Sequence, residues 1–241
     1  MNDPMIVATD LVRRYPRREA PAVDNVSLQV HAGEIIAVVG HNGAGKSSLF
    51  DLIGGLGRPT SGRIAVSIDR ADIGWCPQRE IVDWSLTVRQ NMALGLELRR
   101  PDRRREARDA VQDIGDALGL ASHLDRTAET LSGGELRRTQ IGRAMAGEPT
   151  LMILDEPTTG LDPEGIGVVF DLLDRRRRAG ASALISTHET SRFSSHCTRV
   201  IAMADGRLLA DLPVADFLAR APSPTDDLWD AYAQIRQEAS R

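Results

Sequence analysis

Apolar residues along the 241-residue chain fall into short runs with two kinds of pattern. Val26-Ser27-Leu28-Gln29-Val30 alternates with period two, the mark of a half-buried strand. Ile35–Val39, Leu151–Leu154, Ala183–Ile185 and Val200–Met203 are unbroken apolar runs, as in strands buried on both faces. Met5 to Val30 and Arg63 to Trp75 read as strand-like pieces of one small β-rich layer. From about Ser85 to Met145 the period becomes helical. Thr87 to Leu98 carries Val88, Met92, Leu94, Leu96 and Leu98 before Pro101 breaks it. Arg103 to Leu118 carries a stripe through Ala107, Val111, Ile114 and Leu118. Gly165 to Arg178 turns Val168, Val169, Leu172 and Leu173 inward, and Gly180 is its stop signal. Its arginine-rich end sets positive charge against the negative end of the helix dipole. Strands alternating with helices imply an α/β fold with a mostly parallel sheet. The tail after Pro222 is polar and ends in a short helix-like stretch.

Composition narrows this picture. With 41% hydrophobic residues the chain can bury a sizeable core, as one large domain or two coupled lobes. The net charge of -4 lacks the basic footprint of a nucleic-acid binder. The run Arg103-Arg104-Arg105 is interleaved with Asp102, Glu106 and Asp109, so it reads as a solvated helix face. No apolar run approaches the roughly 18 residues needed to cross a bilayer. Met1-Asn2-Asp3-Pro4 does not have the layout of a signal peptide. Cys76 and Cys197 fit a reducing cytosol, where buried thiols are ordinary core residues.

The chemistry begins at Lys46, the one lysine in the chain. It lies in Gly40-His41-Asn42-Gly43-Ala44-Gly45-Lys46-Ser47, which fits the pattern of a phosphate-binding loop. In such a loop consecutive backbone N–H groups curl round phosphate at a helix N-terminus, here running on into Ser48. A compact ammonium reaches the terminal phosphates from inside that cradle, where a planar guanidinium would be too wide. The Ser47 hydroxyl suits Mg²⁺. The apolar strand before the loop and the helix expected from Ser48 to Ile53, ending near Gly54-Gly55, supply the context that the pattern requires.

Two further segments extend the site. Leu151–Leu154 ends in Asp155-Glu156, at the carboxyl end of a strand, where open α/β sheets bind ligands. Asp155 is expected to hold Mg²⁺ and Glu156 to orient or deprotonate an attacking water. Leu131-Ser132-Gly133-Gly134-Glu135 opens a second helix with Ser132 as N-cap, a second place where backbone amides face an anion.

Together these segments resemble the nucleotide-binding subunit of an ATP-binding cassette transporter, over about residues 5 to 212. The resemblance implies a P-loop NTPase core with a mostly parallel sheet, an antiparallel β subdomain and an inserted helical subdomain. The core and β subdomain would be 5–79 and 144–212, the helical subdomain 80–143, and the tail 213–241. Tyr15 matches the aromatic residue that stacks on adenine. Gln78 matches the glutamine that touches Mg²⁺ and couples to the membrane subunit. Asp162, in Gly160-Leu161-Asp162, matches the loop that faces a second subunit, and His188 matches the histidine at the γ-phosphate. The rings of His31, His41, His123 and His196 read as structural, while the His41 backbone N–H is counted with the phosphate donors. Glu135 stands where glutamine is commoner, and Gly160 where alanine is.

The resemblance further implies ATP and Mg²⁺ as ligands and a head-to-tail dimer, either of two copies or with a second cassette. Lys46 and its loop would hold one face of the nucleotide, and Ser132, Gly133 and Gly134 of the other subunit would cap it. A separate transmembrane permease is the expected partner, which would hold the chain on the cytoplasmic face of the membrane. Trp84 and the stretch from Ile81 to Leu94 are its expected docking surface. Asp83–Val88 and Gly160–Pro163 resemble drug- and lipid-type exporters, so export is the expected direction. Gln78-Arg79 with Asp83-Trp84 resembles metal-ion importers, the alternative. A cassette acting on DNA or ribosomes is the reading from another class. The short span between Lys46 and Leu131 and the acidic balance argue against it.

Overall fold

The computed structural model describes residues 3–16, 18–103 and 105–239, with the Arg108 side chain left out. In chain order the elements are β1 (Ile6–Arg13), β2 (Val23–Val30), β3 (Ile35–Val39), α1 (Lys46–Ile53), β4 (Ser61–Val66), β5 (Ile73–Cys76), α2 (Val88–Arg99), α3 (Glu106–Ala117), α4 (Gly133–Met145), β6 (Leu151–Asp155), α5 (Pro163–Arg178), β7 (Ser182–Ser186), α6 (Thr190–Phe193), β8 (Arg199–Ala204), β9 (Arg207–Pro213), α7 (Val214–Leu218) and α8 (Leu228–Ala239). Short 3₁₀ turns join several of them. The chain divides into two units. One comprises the residues up to Arg70 and from Leu184 onward; the other comprises Ala71–Ala183.

In the first unit β1 pairs antiparallel with both β2 and β4. Residues of β2 alternate between buried and exposed, as period two requires. β3 is buried at all five positions and pairs parallel with β8, which pairs antiparallel with β9. The core here includes Leu49, Phe50 and Ile53 of α1, Phe193, Phe217 and Tyr232.

In the second unit β5 pairs parallel with β6. This corrects the single β-rich layer read from Arg63 to Trp75. β4 belongs to the antiparallel sheet, whereas β5 leaves it for a parallel partner far along the chain. α2 starts at Thr87, whose hydroxyl and Gln90 complete a capping box. Val88, Met92 and Leu96 are buried, but Leu98 is 65% exposed, so the expected stripe loses its last member. On α3 the stripe Ala107, Val111, Ile114 and Leu118 is buried throughout. α5 takes Pro at its first position, and Gly180 follows its end at φ +90°.

Asn91, fully buried on α2, shapes the segment ahead of that helix. Its Oδ1 accepts from Asp83 N (2.8 Å) and its Nδ2 donates to Asp83 O (2.9 Å), with longer bonds to Leu86 O and Thr87 O. That segment presents Trp84 at 48% exposure. Among the described residues no helix is long and apolar enough to cross a membrane.

Candidate functional site

The first unit carries the phosphate loop. It leaves buried β3 and enters α1, whose N-cap Gly45 sits at φ +107° and forms no side-chain cap. A Cβ at Gly45 would lie 2.3 Å from Ala22 O, so both the backbone angle and the close approach demand glycine. Uncapped amides at a helix start form the anion cradle expected there. Lys46, 9% exposed, donates from Nζ to Gly40 O (2.6 Å) and more weakly to His41 O (3.4 Å). Ser47, Asn42 and Gly43 are exposed.

Tyr15 lies beside this loop, with its Oη 3.4 Å from Ser48 Oγ. The Arg13 guanidinium stacks over its ring, 4.7 Å from the centroid. His188 is exposed just beyond β7. Tyr232 of α8, absent from the sequence reading, supports the loop as well. It is 1% exposed, accepts from His41 N (3.3 Å) and donates to Met203 O (3.2 Å). In this structure, then, the His41 amide counted among the phosphate donors is directed to a phenol. Tyr232 lies outside the segment covered by the family resemblance, which is why it was missed.

The second unit carries the carboxylates. Asp155 and Glu156 end β6 at 4% and 3% exposure. Glu156 adopts φ +52°, a left-handed conformation for a non-glycine residue that also precedes proline. Such backbone costs about 1–3 kcal/mol and persists only where neighbours enforce it. Gln78 is exposed just after β5.

The enforcing neighbours stand on α4. Ser132 caps that helix by accepting from Glu135 N (3.3 Å), and Glu135 accepts from Ser132 N (2.7 Å). That amide lowers the Glu135 pKa, and nearby His123 and Arg126 add to the effect. Glu135 also meets His123 Nε2 at 3.0 Å. Farther along α4, Arg137 is 7% exposed and directs its guanidinium at backbone carbonyls. Nε donates to Pro157 O (3.2 Å). Nη1 donates to Pro77 O (3.0 Å) and Gln78 O (3.4 Å), and Nη2 to Asp155 O (2.8 Å) and Glu156 O (2.7 Å). Gln140 Nε2 donates to Pro77 O (2.7 Å) and Arg79 O (2.8 Å). The sequence reading missed both residues. The available signal was a helix with polar groups spaced i and i+3 on its buried face.

Gly134 and the Gly160 loop are neighbours: a Cβ on Gly134 would lie 3.6 Å from Gly160 O. Asp162 caps α5, its Oδ1 accepting from Gly165 N (2.8 Å). Burial raises the Cys76 thiol to about 11 and Cys197 to about 12, so both behave as core residues. Ser47 in the first unit, and Gln78 and Asp155 in the second, each carry the hard oxygen donors that Mg²⁺ prefers. This ion usually takes one or two carboxylates and completes its shell with phosphate and water. A dedicated cage is not needed, and among the described residues no group of three or more His, Cys, Asp or Glu side chains forms one.

Comparison with known proteins identifies the family and the fold. The family model described as ABC transporter matches residues 23–159. Methionine import ATP-binding protein MetN of Geobacillus kaustophilus (strain HTA426) is 38% identical, over 78% of this chain and 59% of that protein. Methionine import ATP-binding protein MetN 3 of Bacillus cereus (strain ATCC 10987 / NRS 248) is 33% identical, over 95% of this chain and 71% of that protein. The chain thus spans 59% of the length of the first relative and 71% of the second. A solved ATP binding subunit of an ABC transporter has a TM-score of 0.84 at 24% identity, covering 96% of this chain and 99% of its own. The structure of cbiO1 from Clostridium perfringens, part of the ABC transporter complex cbiONQ, has a TM-score of 0.76 at 28% identity, covering 90% and 92%.

Proposed function

The chain belongs to the ABC transporter family, and from that premise we propose that it hydrolyses ATP to power import through a separate membrane permease. Import replaces the export expected from Asp83–Val88 and Gly160–Pro163. The observation that carries it is that both relatives, at 38% and 33% identity, are import ATP-binding proteins. Methionine is the first cargo to test.

The residues support the following chemistry. The loop amides from Gly40 to Ser48 and the Lys46 ammonium bind the phosphates, and Tyr15 stacks on the base. Ser47, Gln78 and Asp155 would hold Mg²⁺, which when bound neutralises charge on the phosphates. Glu156 accepts a proton from water as that water attacks the γ-phosphorus. The bond from the γ-phosphorus to the bridging oxygen breaks, and its electron pair leaves with ADP. His188 orients the γ-phosphate. Ser132, Gly133 and Gly134 of a second copy close over the nucleotide, and Asp162 lies at that junction. Two anion-facing helix starts in one chain suit such a composite site, since each copy supplies half of it. Loss of the γ-phosphate then lets the copies part and moves the permease, which docks on the stretch from Ile81 to Leu94.

Uptake of labelled methionine in cells lacking this chain tests the direction and the cargo. The expected result is lost uptake, restored by the wild-type chain but not by Glu156→Gln. Normal uptake of methionine and other amino acids, with a drug or lipid retained in the cell, would overturn import.

A further inference from the structure

Arg137 has more contacts than packing requires. A guanidinium carries five N–H groups in a rigid fork, and here all five meet backbone carbonyls. Three of those carbonyls belong to Asp155, Glu156 and Pro157, and two to Pro77 and Gln78. One side chain of α4 therefore ties the end of β6 to the segment that follows β5. Its shortest bond, 2.7 Å, is to the carbonyl of Glu156, the residue at φ +52°. Pro77 O accepts from both Arg137 and Gln140, which uses both of its lone pairs.

We propose that Arg137 is a positioning residue for ATP hydrolysis, holding the strained backbone of Glu156 and linking it to the Gln78 segment. The inference rests on the reading of Glu156 as the base. It adds a side-chain route between two segments whose strands, β5 and β6, already pair. A shift of residues 77–79 pulls on the fork that fixes residues 155–157, so movement at the permease-facing segment alters the aim of the carboxylate. Lysine cannot replace the fork. It keeps the charge but has three donors on a flexible stem, too few for five carbonyls in two segments.

The test uses the full chain with Arg137→Lys, Arg137→Met and Arg137→Ala. ATP dissociation constants come from a fluorescent ATP analogue, and kcat is expressed per nucleotide-binding site, so unfolded protein drops out of the rate. The expected kcat falls about tenfold for Arg137→Lys and about 100-fold for Arg137→Met, the scale of an ångström's misplacement. The dissociation constant should stay within about twofold, because the phosphate loop is made elsewhere. Added ethylguanidinium should restore part of the Arg137→Ala rate and leave wild type unchanged. Wild-type kcat per site in Arg137→Lys and Arg137→Met would overturn the proposal. So would a loss of affinity equal to the loss of rate, with no rescue. Glu156→Gln measured alongside separates the two levels: if it still turns over, the reading of Glu156 as base is what fails.

Discussion

The phosphate loop and the end of β6 are held in opposite ways. The loop is organised largely by its own backbone: Gly45 at φ +107° sets the turn, Ala44 N donates to His41 O (3.0 Å), and Lys46 bonds the carbonyls of Gly40 and His41. Glu156 also sits at positive φ, but it is not glycine and cannot hold that angle alone. It is gripped from α4, by Arg137, nineteen positions away in sequence. Binding phosphate needs a surface that any chain with the right short motif can fold. Aiming a carboxylate at one water needs side chains brought from elsewhere.

The largest expected effect falls on the self-organised region. Lys46→Ala removes the ammonium proposed to meet the terminal phosphates. ATP affinity, read by titration of a fluorescent analogue, should fall about 100-fold, a charge-assisted contact of roughly 3 kcal/mol. Unchanged affinity would mean that the loop is not the half that binds phosphate. Gly45→Ala tests whether the turn depends on glycine. Its methyl would lie 2.3 Å from Ala22 O at a left-handed backbone angle. The unfolding free energy should therefore drop by about 2 kcal/mol or more, with nucleotide binding lost.

A smaller change sharpens where the loop stops being autonomous. Tyr232→Phe removes the hydroxyl between His41 N and Met203 O. Stability should fall by about 1–2 kcal/mol in urea unfolding, with a few-fold weaker ATP affinity if the phenol sets the loop. Stronger ATP binding instead would mean that the His41 amide is released to phosphate and that Tyr232 competes with the ligand. The smallest effects lie at the start of α4. Ser132→Ala should cost about 1 kcal/mol of stability. Glu135 titrates below its ordinary range because Ser132 N–H donates to it. Its contribution is therefore present at neutral pH and is lost as pH falls through that lowered value. Glu135→Gln should flatten the acid limb of a stability–pH profile by lowering the neutral plateau toward the acid value.

The same contrast explains what the sequence disclosed. The phosphate loop, the helix after it, the Ser132 cap and buried β6 are written in contiguous residues whose types have local causes, so they were legible. β5 was assigned to the wrong layer because four apolar residues specify a strand but not its partner. Leu98 looked like the end of an apolar stripe, but the helix turns it to solvent. Arg137 and Gln140 looked like ordinary polar helix residues, since their acceptors are carbonyls about sixty positions upstream and, for Arg137, about twenty downstream. Asn91 bonds backbone four to eight positions ahead of it, and Tyr232 lies beyond the segment that the family resemblance covers. Spacing can mark a polar side chain on a buried helix face, but it does not name the distant backbone that the side chain serves.

In the proposed cycle two copies of this chain close on ATP, and Glu156 opens them by hydrolysis. The most direct test is the solution mass of Glu156→Gln by light scattering with ATP and Mg²⁺, then with ADP and Mg²⁺. The expected result is a dimer with ATP and a monomer with ADP. A monomer in both, with ATP shown to be bound, would contradict it.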